Sequence, residues 1–258
     1  MNTKYKILID LFSAVFVFSG VMIFREKSLV TNAEDEYKEL NEIFVAEETS
    51  GGASSETARS GDPETDENEN TERVPNRRIE LSELKKINPD AVGWIMIPDT
   101  LISYPIVQGD TEYYLKHTFK GTYSNAGSII LERANSADMS DSHLIIYGHN
   151  MYSYGMFTEL SNYTEYDYWN EHQYVYIWNE TGKHTYRIFS AYTAYDNDAA
   201  YSVGYGHDDG LQRLADYMAN NSRYQTNVPV TRQDNILTLS TCYNNDNIRY
   251  LVNAVEVK

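Results

Sequence analysis

Cys242, His149 and Arg249 are the residues of this chain whose types and settings suit covalent chemistry. Cys242 is the sole cysteine among 258 residues. It ends the run Thr238-Leu239-Ser240-Thr241-Cys242, and polar residues from Tyr243 to Asn247 follow. His149 closes a second run, Ile145-Ile146-Tyr147-Gly148-His149, ahead of Asn150-Met151. Arg249 comes seven residues after Cys242, where the next apolar run opens. A nucleophile at a strand end is rigidly aimed at a groove. Cysteine attacks as the thiolate, and a neighbouring His or Arg raises that fraction. Attack on an amide carbonyl creates an oxyanion that a fixed guanidinium stabilises. Imidazole, with its pKa near neutrality, suits protonation of the departing amine. The thioester so formed opens to water in a protease or to an amine in a ligase. Plainer readings stand beside these. A free cysteine is commonly a small buried hydrophobe, each of the six histidines is commonly a hydrogen-bonded surface group, and an arginine opening a strand is commonly a rim charge.

The elements that must hold these groups read mainly as strands. Short apolar runs bounded by Gly, Asn and Asp occur at 94–97, 128–131, 144–147, 174–178, 185–195, 236–241 and 249–257. At least seven strands at moderate spacing indicate a barrel or sandwich. Leu81, Leu84 and Ile87 have helical spacing before Pro89. A helix is expected over 164–172 with Thr164 as its cap. Another is expected over 210–220, with Leu211, Leu214, Ala215 and Met218 on one face and Asp208 and Asp209 as caps. The acidic group Asp196, Asp198, Asp208 and Asp209 reads as a polar loop and a cap rather than a calcium site, which needs six or more converging oxygens. The aromatic run from Tyr163 to Trp178 reads as a half-exposed helix and strand rather than a sugar platform. No metal or cofactor is called for.

Charge and hydropathy divide the chain in three. Residues 1–32 read as a membrane anchor: Ile7 to Phe24 carries one charge, Asp10, and eighteen helical residues span roughly 27 Å, close to a hydrocarbon core. A cleaved leader is the alternative, but no small-residue cleavage site precedes Arg25. Lys4, Lys6 and the free amine against Arg25 and Lys27 favour an amino end inside and the bulk of the chain outside. Residues 33–78 read as a disordered acidic linker, with a short helix possible from Glu36 to Val45. Between Ala33 and Glu72, 14 acidic residues face Lys38 and Arg59, which is −12 of the total −17. Such a self-repelling stretch without apolar periodicity buries too little surface to fold, and a chain this acidic is a poor ligand for a phosphate backbone. Residues 79–258 form the folded domain.

Four segments, in order, resemble class B sortases: VGWIMIPDTLISYPIVQGDTEYYL from Val92, NAGSIILE from Asn125, YGHNM at 147–151, and TLSTC at 238–242 with the downstream Arg249 of RYLV. The resemblance covers about residues 80 to 258. It implies an eight-stranded sortase-type β-barrel with an N-terminal helical extension and a helix between strands six and seven. It implies Cys242 as nucleophile, His149 as general acid or base, and Arg249 as oxyanion or substrate stabiliser, with Tyr147, Ser240 and Thr241 flanking the substrate groove. The expected partners are secreted proteins bearing a Pro-x-Thr type sorting signal, cut after Thr, and an amine of peptidoglycan or a pilin. The expected place is the outer face of a Gram-positive cell membrane, single-pass. The chain departs from the class B pattern in the six-residue loop between Cys242 and Arg249, which is short. The rivals are an L,D-transpeptidase-like cysteine enzyme, which would place His and Gly directly before the cysteine where Ser240-Thr241 stand, and a non-catalytic surface module with an inert thiol.

Overall fold

Short, largely buried apolar strands joined by turns close the folded part into a barrel. A computed structural model of the chain describes residues 3–44, 79–151, 155–242 and 247–257, with the side chains of 3–14, 17 and 24–26 outside the description. Helix α1 runs Thr3–Phe44 and α2 Leu81–Ile87. Strands β1 (Ala91–Met96) and β2 (Ser103–Val107) precede the single turn α3 (Thr111–Tyr114). Then come β3 (Ile129–Leu131), β4 (His143–Tyr147), α4 (Tyr166–Glu171), β5 (Tyr174–Asn179), β6 (Gly182–Tyr195), α5 (Asp209–Asn221), β7 (Ile236–Cys242) and β8 (Ile248–Glu256). The eight strands close in the order β1-β2-β3-β4-β7-β8-β6-β5. The β2–β3 and β4–β7 pairs are parallel, the others antiparallel.

Strand β2 is not among the expected runs, because Pro105 interrupts it. Pro105 faces Trp94 of β1, while pairing with β3 begins only at Ile106. The missing N–H therefore falls where the β3 side carries no ladder bond. The helix expected from Thr164 starts later, at Tyr166 with Glu165 at its cap position, because Thr164 Oγ1 donates instead to Ser161 O at 2.9 Å. Helix α5 lies between β6 and β7 as expected. Asp208 Oδ1 accepts from Gly210 N at 2.7 Å and Leu211 N at 3.2 Å.

Two apolar layers hold the barrel. Its interior gathers Trp94, Ile106, Ile129, Leu144, Ile146, Leu237, Leu239, Val252 and Ala254. Outside, Leu211, Leu214, Ala215 and Met218 of α5 pack on Phe189, Tyr192, Ile236, Leu251 and Val255. Strands β6, β7 and β8 are thus covered on both faces over much of their length, and β7 is a nearly continuous buried run.

Helix α1 differs from the expected division of the chain. Residues 33–44, placed in the linker by their charge with a short helix expected from Glu36, are helical throughout, and Ala33, Tyr37, Leu40 and Phe44 are buried against the barrel. Their spacing is that of one helical face, which the surrounding acids obscure. Residues 45–78, the rest of that linker, lie outside the described residues. Among the described residues no helix is long and apolar enough to cross a membrane. Much of the anchor expected at 7–24 falls on side chains outside the description.

Candidate active site

Register decides where the chemical groups meet. In β7 and β8 Cys242 is the Cα partner of Arg249, and Ser240 that of Leu251. In the parallel pair β4–β7, Tyr147 is the partner of Ser240. Directly paired residues share a face of the sheet, and residues two apart repeat it. Tyr147, Ser240, Cys242 and Arg249 therefore stand on one face at one rim, the outer face that α5 covers further along at Ile236 and Val255.

Past Tyr147 the chain turns, and the turn is bound to the end of β7. Gly148 N donates to Ser240 O at 3.1 Å. Thr241 Oγ1 donates to Gly148 O at 2.7 Å, and Asn150 Nδ2 donates to Cys242 O at 2.8 Å. His149 is the residue between these ties. Gly148 admits no side chain, since a Cβ there would lie 2.6 Å from Ile129 Cδ1 and 2.7 Å from the Phe157 ring. The imidazole is anchored at one nitrogen: His149 Nε2 lies 2.8 Å from Leu115 O. A carbonyl only accepts, so Nε2 carries the proton and Nδ1 is left for proton exchange. Cys242 is half-buried. Arg249 is oriented in part by Nη1 donating to Ile248 O at 3.1 Å. Residues 243–246, in the loop joining Cys242 to Arg249, lie outside the described residues.

Two tyrosines build a wall beside the thiol. Tyr201, on the 3-10 turn Ala199–Tyr201 between β6 and α5, meets Ser240 Oγ through its hydroxyl at 2.7 Å. Its ring stacks on that of Tyr147 with centroids 6.2 Å apart and planes 8° apart. Tyr147 Oη donates to Glu132 Oε2 at 2.7 Å. Burial pushes the Tyr201 hydroxyl up to about 12, against the lowering pull of its Ser240 hydrogen bond and of the Arg249 charge. Burial raises the Tyr147 hydroxyl as well, so both phenols stay neutral at physiological pH.

Of the six residues singled out in the sequence, all come to this rim, in different states. Tyr147 is half-buried, whereas Ser240 is 1% exposed and Thr241 2%. The Thr241 hydroxyl is engaged on the histidine turn rather than open to the groove. Sequence reasoning missed Tyr201, Glu132 and the carbonyl of Leu115. Tyr201 precedes Cys242 by 41 residues with no local pattern to mark it among 23 tyrosines. Asp198 caps the 3-10 turn through Ala200 N and accepts from Tyr192 and Tyr217. Asp209 pairs with Arg232. Asp198, Asp208 and Asp209 thereby have structural partners, and no group of three or more His, Cys, Asp or Glu able to hold a metal occurs among the described residues.

A strand-end thiol whose register partner is an arginine, with a tethered imidazole on the turn bound to the same strand end of a closed barrel, suits a cysteine acyl-transfer enzyme. Comparison with known proteins narrows the class. A sortase-domain family model matches residues 95–257. Sortase B of Listeria monocytogenes is 36% identical over 170 residues, covering 64% of this chain and 68% of that protein. The Staphylococcus aureus sortase B–substrate complex superposes with a TM-score of 0.65 at 31% identity, covering 69% of this chain and 84% of that one. A sortase B complexed with triglycine gives 0.65 and 31%, covering 69% and 85%. The chain belongs to the sortase family, whose members are cysteine transpeptidases, and its structural neighbours are class B sortases. The reading as an inert surface module falls with that membership.

Proposed function

We propose that this sortase is held in the membrane by α1, works on the outer face of a Gram-positive cell, and joins secreted proteins to a wall or pilin amine through a thioester on Cys242. The single observation that carries the site assignment is the register placing Cys242 opposite Arg249 while three hydrogen bonds tie the histidine turn to the same strand end. The Cys242 thiolate attacks the threonine carbonyl of a Pro-x-Thr type sorting signal. The negative charge that develops on the carbonyl oxygen is stabilised by the Arg249 guanidinium. His149 gives a proton to the departing amine as the C–N bond breaks, leaving the thioester and a neutral imidazole. The acceptor amine then attacks the thioester, His149 takes its proton, and the new amide leaves as the Cys242 sulfur is released.

The aromatic wall suits the proline of such a signal. Tyr147 and Tyr201 offer a flat apolar surface beside the thiol, and Ser240 fixes the Tyr201 hydroxyl. Thr241 acts from beneath by holding the turn that carries His149. Two solved sortase B structures bear on the partners: one holds substrate and the other triglycine, a short peptide with a free amine. Anchoring is supported by the sequence at 7–24 and by the exposed large apolar side chains Val15, Phe16, Phe18, Val21, Met22 and Ile23 of α1.

Intact-mass measurement of the protein mixed with short Pro-x-Thr peptides tests this reading. The expected result is an adduct on Cys242 that hydroxylamine releases as the peptide hydroxamate, absent in Cys242→Ala. Ready alkylation of Cys242 without an adduct from any peptide would reject this class of signal, and a thiol that neither alkylates nor acylates would reject the nucleophile.

A further inference from the structure

The imidazole of His149 rests on one segment, residues 115–127. Leu115 O accepts from Nε2 at 2.8 Å. At the far end, Gly127 lies so close that a Cβ there would be 2.9 Å from His149 Cδ2 and 2.9 Å from Leu115 O. Gly127 has φ +60, a conformation that side chains other than glycine's disfavour. The two ends of the segment thus form a seat for the ring, and whatever fixes the segment fixes the acid–base group.

Helix α1 fixes it. Tyr37 Oη donates to Gly127 O at 2.6 Å and accepts from Phe119 N at 3.2 Å, so one buried hydroxyl bridges the two arms of the segment. Its neighbour Glu36 uses both carboxylate oxygens. Thr118 Oγ1 donates to one at 2.7 Å and Lys120 N to the other at 2.8 Å. Tyr37 is 5% exposed and Glu36 8%, on a helix otherwise rich in exposed charge. Glu39 adds a surface ion pair with Lys120 at 2.7 Å. The Tyr37 ring also meets Tyr104 edge-on at 5.2 Å, and Tyr104 Oη accepts from Met156 N, at the far side of the loop that follows His149.

We propose that Tyr37 and Glu36 are positioning residues for His149, so that docking of α1 on the barrel sets the geometry of proton transfer. The proposal rests on His149 being the acid–base group. Neither residue touches the reacting atoms. Each acts through the backbone that holds the imidazole, and a displacement of about 1 Å at a catalytic group is enough to lower turnover on the order of a hundredfold. The helix that the sequence ties to the membrane is on this view a working part of the active site rather than a tether alone.

The test uses the full chain in detergent micelles with Tyr37→Phe, which removes only the bridging hydroxyl, and Glu36→Gln, which keeps size and one acceptor oxygen. One readout is the pH dependence of Cys242 alkylation by iodoacetamide, which needs no substrate and follows the thiolate fraction. The other is the separation of kcat from KM with a sorting peptide. Tyr37→Phe is expected to lower kcat by about tenfold or more with KM within about twofold. It is also expected to displace the alkylation profile by about half a pH unit or more. Glu36→Gln should move both in the same direction, by less. Wild-type values of kcat and of the alkylation profile, even with a lowered melting temperature, would overturn the proposal by making α1 a brace. If Tyr37→Phe does not fold, Glu36→Gln decides by the same criteria. If the wild-type chain forms no thioester, the functional reading fails, and the alkylation profiles still decide the positioning role.

Discussion

On the proposed mechanism, removing the imidazole at His149 and removing the guanidinium at Arg249 would interrupt different parts of one transfer. His149→Ala would then leave the departing amine without a proton donor, and Arg249→Ala would leave the oxyanion without its charge partner. Each is expected to lower turnover by about two to four orders of magnitude, read as the rate of peptide adduct formation on Cys242. Arg249→Lys keeps the charge but not the planar fork of donors, and should recover only part of the loss. Near-normal turnover in either alanine variant would remove that residue from the mechanism. The neighbouring tyrosine wall gives a subtler test. Tyr201→Phe deletes the hydroxyl that meets Ser240 at 2.7 Å but leaves the ring stacked on Tyr147. If the wall seats the peptide, KM should rise a fewfold, about the loss of one hydrogen bond, with kcat little changed.

Helix α5 is the element that covers the face carrying the site. Its buried residues Leu211, Leu214, Ala215 and Met218 pack on β6, β7 and β8, and the segment leading into it holds Tyr201. Leu214 is 4% exposed, so Leu214→Ala should destabilise the fold by about 2–5 kcal/mol, the usual sum of lost transfer and cavity terms. The midpoint of urea unfolding measures this, and a change under about 1 kcal/mol would show that the layer collapses to fill the gap. The histidine turn is an element of another sort, defined by hydrogen bonds to β7 rather than by packing. It is held by Thr241, which the sequence placed beside the substrate groove, and by Asn150 and the glycine at 148, which the sequence marked only as members of the histidine motif.

At the scale of the whole molecule, stability should depend on pH through His143. This histidine begins β4, is 1% exposed, and joins Ser202 O at 2.9 Å and Thr238 Oγ1 at 2.9 Å. It thereby fastens the loop bearing Tyr201 to the barrel. Burial is the main cause that pushes its pKa from 6.5 down to about 4. Between those values the unfolded chain binds a proton that the folded chain does not, so stability rises with pH across the window and is lost as pH falls from 6.5 toward 4. The loss from this group is of order 3 kcal/mol at the acid end. Melting temperatures measured over that range should fall more steeply for the wild type than for His143→Gln. Parallel curves would place the acid sensitivity elsewhere.

Short-range pattern was sufficient for much of this protein. The apolar runs that end on Cys242 and His149, the arginine seven residues beyond, the capped amphipathic face of α5, and the spacing of Leu81 and Leu84 are all local, and local preferences write them into a few consecutive residues. Pairings across the barrel are not local. β2 was hidden by Pro105, tolerable only because β3 does not pair there. Tyr201 reached the site only when the β6–α5 segment folded back over Ser240. The second half of α1, read as linker with at most a short helix from Glu36, became part of the core because the barrel offered a partner for Tyr37, Leu40 and Phe44. Charge composition averages over a segment, whereas a buried helical face needs only every third or fourth residue, and whether it is covered depends on a surface built by strands far along the chain.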